Sequence, residues 1–342
     1  MTHAGRLDAS VLALSPAALE AEATFIAQWL RETVGGTLRR KGCVVAMSGG
    51  IDSTVCTALA VRALGRERVL GLMLPERDSS TASGELAAQL AAHLGIATER
   101  HELAPALEAL GCYAMRDAAF RRVFPAYGEG WRSKIVLTGG LQGGLNHFRL
   151  VVRDAQGQAF DARLGAREYL EIVAATNMKQ RARKLVEYTH ADRLNYAVVG
   201  TPNRLEYDQG FFVKNGDGAA DLKPIAHLYK TQVYAMARHL GLPAELCGVT
   251  PTTDTYSLAQ GQDEFYFALP YAQMDLALWA LDHGFGATEL APALGIDEAR
   301  AAHVLADIAA KRRAARYLHA PALTARPVDS VHAHRDAHGR AA

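Results

Sequence analysis

Apolar positions recur along this chain with two different periods, and the alternation between them predicts the fold. Leu19, Ala23, Ile26, Leu30 and Val34 fall on one helical stripe, so residues 17–40 read as one long amphipathic helix, closed by Gly35-Gly36 and Lys41-Gly42. Cys43-Val44-Val45-Ala46-Met47 is a continuous apolar run of the kind that forms a buried parallel strand. A glycine loop follows, then helical spacing over 53–64 and a second apolar strand over 69–74. Residues 83–95 read as a helix with Gly95 as its C-cap. Strand, helix, strand, helix in this order predicts an α/β fold, a doubly wound parallel sheet with flanking helices.

The middle of the chain changes character. Residues 135–138, 148–153 and 158–164 are strand-like, the last two forming a hairpin around Asp154-Ala155-Gln156-Gly157. Helical spacing resumes after Ala166 and runs through Tyr188, and Ala197-Val198-Val199-Gly200 is another buried strand. Helices are expected over 228–240, ended by Gly241 and Pro243, and over 270–284 and 296–318. The chain therefore reads as a single domain over 1–320, with an extra segment at about 112–172. Residues 321–342, rich in Ala, His, Arg and Pro without periodicity, read as a disordered tail whose His332, His334 and His338 are solvated.

Composition narrows the class. A net charge of +1 over 342 residues gives no reason to expect a nucleic-acid or membrane partner. Cys43, Cys56, Cys112 and Cys247 are widely spaced, which fits neither a zinc site nor a disulfide framework and suits a reducing cytoplasm. No signal pattern opens the chain, and no apolar stretch is expected to reach the roughly 20 residues of a membrane helix.

The chemistry is concentrated at Ser48-Gly49-Gly50-Ile51-Asp52-Ser53. A buried strand running through two glycines into a helix is an anion site: the glycines allow close backbone approach, and the helix N-terminus offers free N–H groups and a positive dipole end. Ser48 and Ser53 add hydroxyl donors. Asp52 sets a carboxylate beside the phosphates, which makes sense with a divalent cation between them. The loop is neither G-x-x-x-x-G-K-[ST] nor G-x-G-x-x-G. A second glycine run, Gly139-Gly140-Leu141-Gln142-Gly143-Gly144, is a loop or a second anion nest.

Ser48–Ser53 resembles the pyrophosphate loop of the ATP pyrophosphatase superfamily (adenine nucleotide α-hydrolase-like fold). Downstream segments narrow the resemblance to ammonia-dependent NAD synthetase: Asn177-Met178-Lys179-Gln180-Arg181-Ala182-Arg183, Val198-Val199-Gly200-Thr201-Pro202-Asn203-Arg204-Leu205-Glu206, the run from Gly210 to Pro224, Leu228-Tyr229-Lys230-Thr231-Gln232-Val233, Pro251-Thr252-Thr253-Asp254 and Gln262-Asp263-Glu264. The resemblance implies that Ser48, Gly49, Gly50, Ile51, Asp52, Ser53, Thr201, Lys230 and Thr252 bind ATP, and that Asp52 and Glu206 hold Mg²⁺. It assigns Lys214, Asp221 and Lys311 to the acceptor, deamido-NAD, and makes Asp52, Lys214 and Lys230 the catalytic set. Arg181 could clamp a phosphate or carboxylate with its planar fork, or belong to a charged helix face with Lys179, Arg183 and Lys184. Ala310-Lys311-Arg312 departs from the family's His-Lys-Arg, and the 112–172 segment is longer than in compact members.

These residues imply an amide-forming ligase. ATP adenylates the carboxylate of deamido-NAD with loss of pyrophosphate, and ammonia displaces AMP to give NAD. The first step needs positioning and charge neutralisation rather than a nucleophile. About 40 residues before the loop are too few for a glutaminase domain, so free ammonia or a separate glutaminase partner is expected to supply the nitrogen. A homodimer is implied by the resemblance. The alternatives are a paralogue amidating another carboxylate, an RNA-modifying ATP pyrophosphatase, which the missing cysteine pair and basic surplus disfavour, and a binding-only module, which would not need two metal carboxylates.

Overall fold

The computed structural model describes residues 7–138, 147–248, 256–258, 266 and 269–326. After a short turn at Ala9–Leu12, helix α1 (Pro16–Arg31) is capped by the Ser15 hydroxyl, which accepts the Ala18 N–H. The helix then widens into a π-turn over Glu32–Thr37, so the single helix expected to residue 40 stops short. The two glycines at 35 and 36 lie in this widened turn, where good helix formers are missing.

Strand β1 (Cys43–Ala46) leads through the glycine loop into α2 (Ile51–Leu64). Strand β2 (Val69–Met73), α3 (Thr81–Leu94) and the edge strand β3 (Ala97–Arg100) follow, with Gly95 in the left-handed conformation as the C-cap of α3. Then come α4 (Ala104–Ala109) and α5 (Cys112–Val123). Strands β4 (Arg132–Thr138), β5 (His147–Arg153) and β6 (Ala159–Arg163) precede the long helix α6 (Ala166–Leu194) and strand β7 (Ala197–Val199). The C-terminal part carries α7 (Arg204–Gln209), α8 (Lys230–His239), α9 (Ala244–Cys247), α10 (Tyr271–Asp282), α11 (Ala287–Leu294) and α12 (Glu298–His319).

The first sheet is parallel, in the order β3-β2-β1-β7, with Cys43 opposite Val69 on one side and Ala197 on the other. Cys43, Val44 and Val45 have no exposed surface, as a central strand covered on both faces requires. On one face lie α1, α2 and α8, whose Ile26, Leu30, Val55, Leu59, Val233 and Met236 form one core. On the other, α6 lays Ala182 and Val186 against Val44, Leu70 and Leu72. The N-terminal half of α6 packs against a second sheet, antiparallel β4-β5-β6, through Ile172, Ile135, Leu150 and Val152. Helix α6 is thus a spine shared by both sheets.

The described part of the 112–172 segment divides. Helix α5 lies along α6, while 132–163 form the second sheet. Residues 321–326 have no helix or strand, and the rest of the C-terminal stretch, with His332, His334 and His338, lies outside the described residues, as does the Gly139–Gly144 run. Among the described residues, one helical span, Ala9–Thr37, is long and apolar enough to pass for a membrane helix by length and composition, which corrects the expectation that none would. Its apolar stripe, Leu19, Ala23, Ile26, Leu30 and Val34, is buried in the core of the first sheet.

Candidate active site

The site is built where β1 ends. Gly49 has φ +77°, and a Cβ there would lie 2.4 Å from the Ser83 carbonyl oxygen, so both the turn and the close approach of α3 require glycine. The Ser48 hydroxyl accepts the Gly50 N–H at 3.3 Å and lies 3.2 Å from the Ser53 hydroxyl, which donates to the Gly50 carbonyl at 3.0 Å. Gly50 is the N-cap of α2 and brings no side-chain cap, so the first-turn amides are left to a ligand.

Two further elements close on Asp52. Asn203 is the N-cap of α7: its side-chain oxygen accepts from Leu205 and Glu206 amides, and its amide nitrogen donates to Asp52 at 3.2 Å. Glu206 returns a bond to the Asn203 N–H at 3.1 Å, completing a capping box. Glu206 is buried in the first turn of α7. Lys230 opens α8, whose terminal N–H groups at Lys230 and Thr231 donate to the buried Asp275 carboxylate of α10 at 3.2 and 2.7 Å. That external cap sends the fully buried Lys230 side chain to Asp52, with which it forms a direct ion pair. Lysine and carboxylate, read from sequence as serving phosphate and metal separately, are therefore partners of one another.

Burial pushes the Glu206 carboxyl up to about 8, and the negative charge of Asp52 adds to the rise. Burial works against the Lys230 ammonium, but Asp52 and Glu206 outweigh it and hold Lys230 above the ordinary lysine value. The buried Glu206 carboxyl and the partly buried Asp52 carboxylate share one lysine, an oxygen set that suits a hard divalent cation. The sign of the pH dependence follows. Because the folded protein holds the Glu206 proton more tightly than the unfolded chain, metal-free stability falls as pH rises from about 4.5 to about 8. A divalent cation held there would have to displace that proton, so its apparent affinity is expected to rise over the same range and level off above it. Titration calorimetry in buffers of different ionisation enthalpy would detect the released proton; Glu206→Gln should abolish the release.

One cavity of about 980 Å³ is lined by Ser48, Gly49, Gly50, Ile51, Asp52, Ser53, Thr201, Glu206 and Lys230 together. Thr252 lies outside the described residues. The cavity follows α6: Tyr169, Val173, Asn177, Gln180, Lys184 and Glu187 line it at three- and four-residue spacing. Sequence reasoning treated the charges of this helix as a possible solvated face and missed their burial. Lys184 pairs with Glu187 at 2.6 Å, both shielded from solvent, and Arg183 donates to the Leu74 carbonyl at 3.2 Å. Lys179 is 2% exposed and holds Glu76 at 3.0 Å and Asp78 at 2.5 Å, fixing the segment after β2 that borders the cavity. The i, i+4, i+8 spacing of Lys179, Arg183 and Glu187 was the available signal.

The residues expected to bind the acceptor do not line this cavity. Lys214 donates to the Tyr317 and Ala320 carbonyls at 2.8 Å each, tying down the C-terminal end of α12. Arg181 donates to the Lys214 carbonyl at 3.3 Å. Asp221 accepts from the Val198 amide at 2.8 Å at the edge of β7, and Lys311 pairs with Asp307 at 2.6 Å and donates to the Tyr266 carbonyl. Each is engaged by a backbone group 23 to 106 positions away, which sequence spacing does not reveal. Glu99, His101 and His190 also cluster, but the Arg193 guanidinium sits on Glu99 at 2.5 Å and His190 at 2.9 Å.

The architecture has close counterparts among solved structures. An NMN synthetase from Francisella tularensis superposes with a TM-score of 0.62 at 22% identity, covering 91% of this chain and 99% of that one. An NH3-dependent NAD synthetase from Campylobacter jejuni gives 0.58 at 20% identity, over 90% and 99%. The fold is that of the adenine nucleotide α-hydrolase-like class, a parallel sheet with flanking helices and the Ser48–Ser53 loop at the carboxyl end of β1. The model of the NAD synthase family matches residues 22–123 and 150–315. A curated NH(3)-dependent NAD(+) synthetase of Mesorhizobium japonicum is 55% identical over 312 residues, 91% of this chain and 96% of the relative. The chain belongs to the NAD synthase family.

Proposed function

We propose that this protein is an ammonia-dependent carbon–nitrogen ligase that converts deamido-NAD to NAD at the expense of ATP. The observation that carries the reading is the convergence of the phosphate loop, Asp52, Glu206 and Lys230 on one cavity, in a chain of this family. The loop amides and the Ser48 and Ser53 hydroxyls bind the β- and γ-phosphates, which leave as pyrophosphate. Lys230 neutralises charge that gathers on the phosphates as the acceptor carboxylate attacks the α-phosphorus. Asp52 and Glu206 are the residues that would hold Mg²⁺, and the metal would supply charge neutralisation at the triphosphate. Ammonia then attacks the acyl carbon, and AMP departs with one former carboxylate oxygen.

Arg181, Lys214, Asp221 and Lys311, which the resemblance assigns to the acceptor, lie outside the lining of this cavity, and Lys214 and Lys311 act on it through their neighbours. Lys214 holds the turn around Leu318, and Lys311 holds Tyr266, both of which border the cavity. The cytoplasm is the proposed compartment, consistent with four free cysteines, three of them buried. A homodimer is the proposed assembly, on the family resemblance and on apolar side chains such as Leu185 that α6 leaves 70% exposed; light scattering at working concentration checks it.

The test is product analysis with ATP, Mg²⁺, ammonia and deamido-NAD: equal amounts of NAD, AMP and pyrophosphate are expected. ADP and phosphate, or no reaction, would refute the reading. Glutamine in ammonia-free buffer is expected to give no NAD with the purified chain, and NAD formed under those conditions would contradict ammonia as the nitrogen donor.

A further inference from the structure

The second sheet reaches the substrate cavity, and it does so with an aromatic side chain. The family model passes over residues 124–149, which include β4 and the start of β5. The inner face of this sheet, Ile135, Leu150 and Val152, is fully buried against α5 and α6. Phe148 lies on the same face, two residues before Leu150, but is only half-buried and borders the cavity. It stacks on Tyr169 of α6, with ring centroids 4.1 Å apart and planes 15° apart. Tyr169 borders the cavity as well, followed along α6 by Val173 and Thr176, and Tyr256 closes this end with a hydrogen bond to Thr176.

Position along α6 says what this chamber receives. Lys179 and Arg183 reach the segment just past β2, so that part of α6 lies level with the tips of the parallel strands. Tyr169 is a further ten residues toward the helix N-terminus from Lys179, roughly 15 Å at about 1.5 Å per residue. The aromatic end therefore stands beyond the strand tips, in the region outside the carboxyl ends of the strands where α/β folds bind ligands. It carries apolar and aromatic walls, whereas the other end of the helix carries Arg183, Lys184 and Glu187. Charged groups suit phosphates; flat apolar rings suit a flat aromatic ring.

Resting on the functional reading above, we propose that Phe148, delivered by the added sheet and braced by Tyr169, is a specificity-determining contact that stacks on an aromatic ring of the acceptor dinucleotide. The contact lies within one chain and acts on the acceptor rather than on ATP.

Steady-state kinetics of Phe148→Ala test this, with Leu150→Ala as a control that weakens the core of the sheet without touching the cavity. Phe148→Ala is expected to raise KM for deamido-NAD about tenfold with kcat and the KM for ATP unchanged. Phe148→Tyr or Phe148→Trp should restore it, since either ring can stack. Leu150→Ala should lower Tm and leave the acceptor KM in place. An unchanged acceptor KM in Phe148→Ala, a rise in the KM for ATP instead, or an equal rise in Leu150→Ala would overturn the proposal while wild-type turnover leaves the ligase reading standing. No wild-type turnover of deamido-NAD would overturn both.

Discussion

Asp52→Asn is expected to slow pyrophosphate release by roughly 10² to 10³, the range seen when a preorganised electrostatic group is removed from an active site. The fold should survive, and the reason lies in the neighbouring carboxyl. Asp52 is the direct partner of buried Lys230, and breaking a buried pair ordinarily leaves an uncompensated charge. Here Glu206 is held protonated by burial and by the charge of Asp52. Once that charge is gone, Glu206 ionises more readily and becomes the counter-ion of Lys230. The variant should therefore lose activity far more than stability, with a modest fall in Tm and a downward shift of the Glu206 titration. Pyrophosphate release at the wild-type rate would remove Asp52 from the catalytic set.

The largest stability effect is expected at Lys179. Its ammonium sits between Glu76 and Asp78, with side chains 0% and 6% exposed, and Tyr113 donates to Glu76 at 2.8 Å while Arg116 pairs with Asp78. Lys179→Met keeps the length and apolar bulk of the stem but strands Glu76 without a cation. A loss of about 3–5 kcal/mol is expected, the range for breaking a buried pair from one side. Urea unfolding gives the number, and residual protein should show a weakened ATP affinity because the segment after β2 borders the cavity. A loss under about 1 kcal/mol, the range of exposed pairs, would mean that the cluster is solvated.

The parts of the fold visible in the sequence were those that local pattern alone determines. Strands β1, β2 and β7 are uninterrupted apolar runs because they are covered on both faces. Strand β3, Ala-Thr-Glu-Arg, carries no such signal: it is an edge strand, largely exposed, and joins the sheet by backbone pairing to β2. The turn from β1 into α2 was readable because its glycines, hydroxyls and carboxylate are adjacent in the sequence. The Lys230–Asp52 pair was not, since it joins residues 178 positions apart and depends on Asp275 of a third element to cap α8. Lys214 and Lys311 also carry contacts that the sequence leaves unread. Their residue types suit a phosphate ligand, yet nearby helix-end carbonyls and Asp307 take their ammonium groups.

The central claim is that the acceptor carboxylate is activated by adenylation in this cavity. It is tested most directly by following a heavy-oxygen label from the carboxylate of deamido-NAD through one turnover with ATP, Mg²⁺ and ammonia. Mass spectrometry should find one labelled oxygen in the phosphate of AMP, one in the amide of NAD, and none in pyrophosphate. Label in inorganic phosphate with ADP as the nucleotide product, or AMP free of label, would contradict the account.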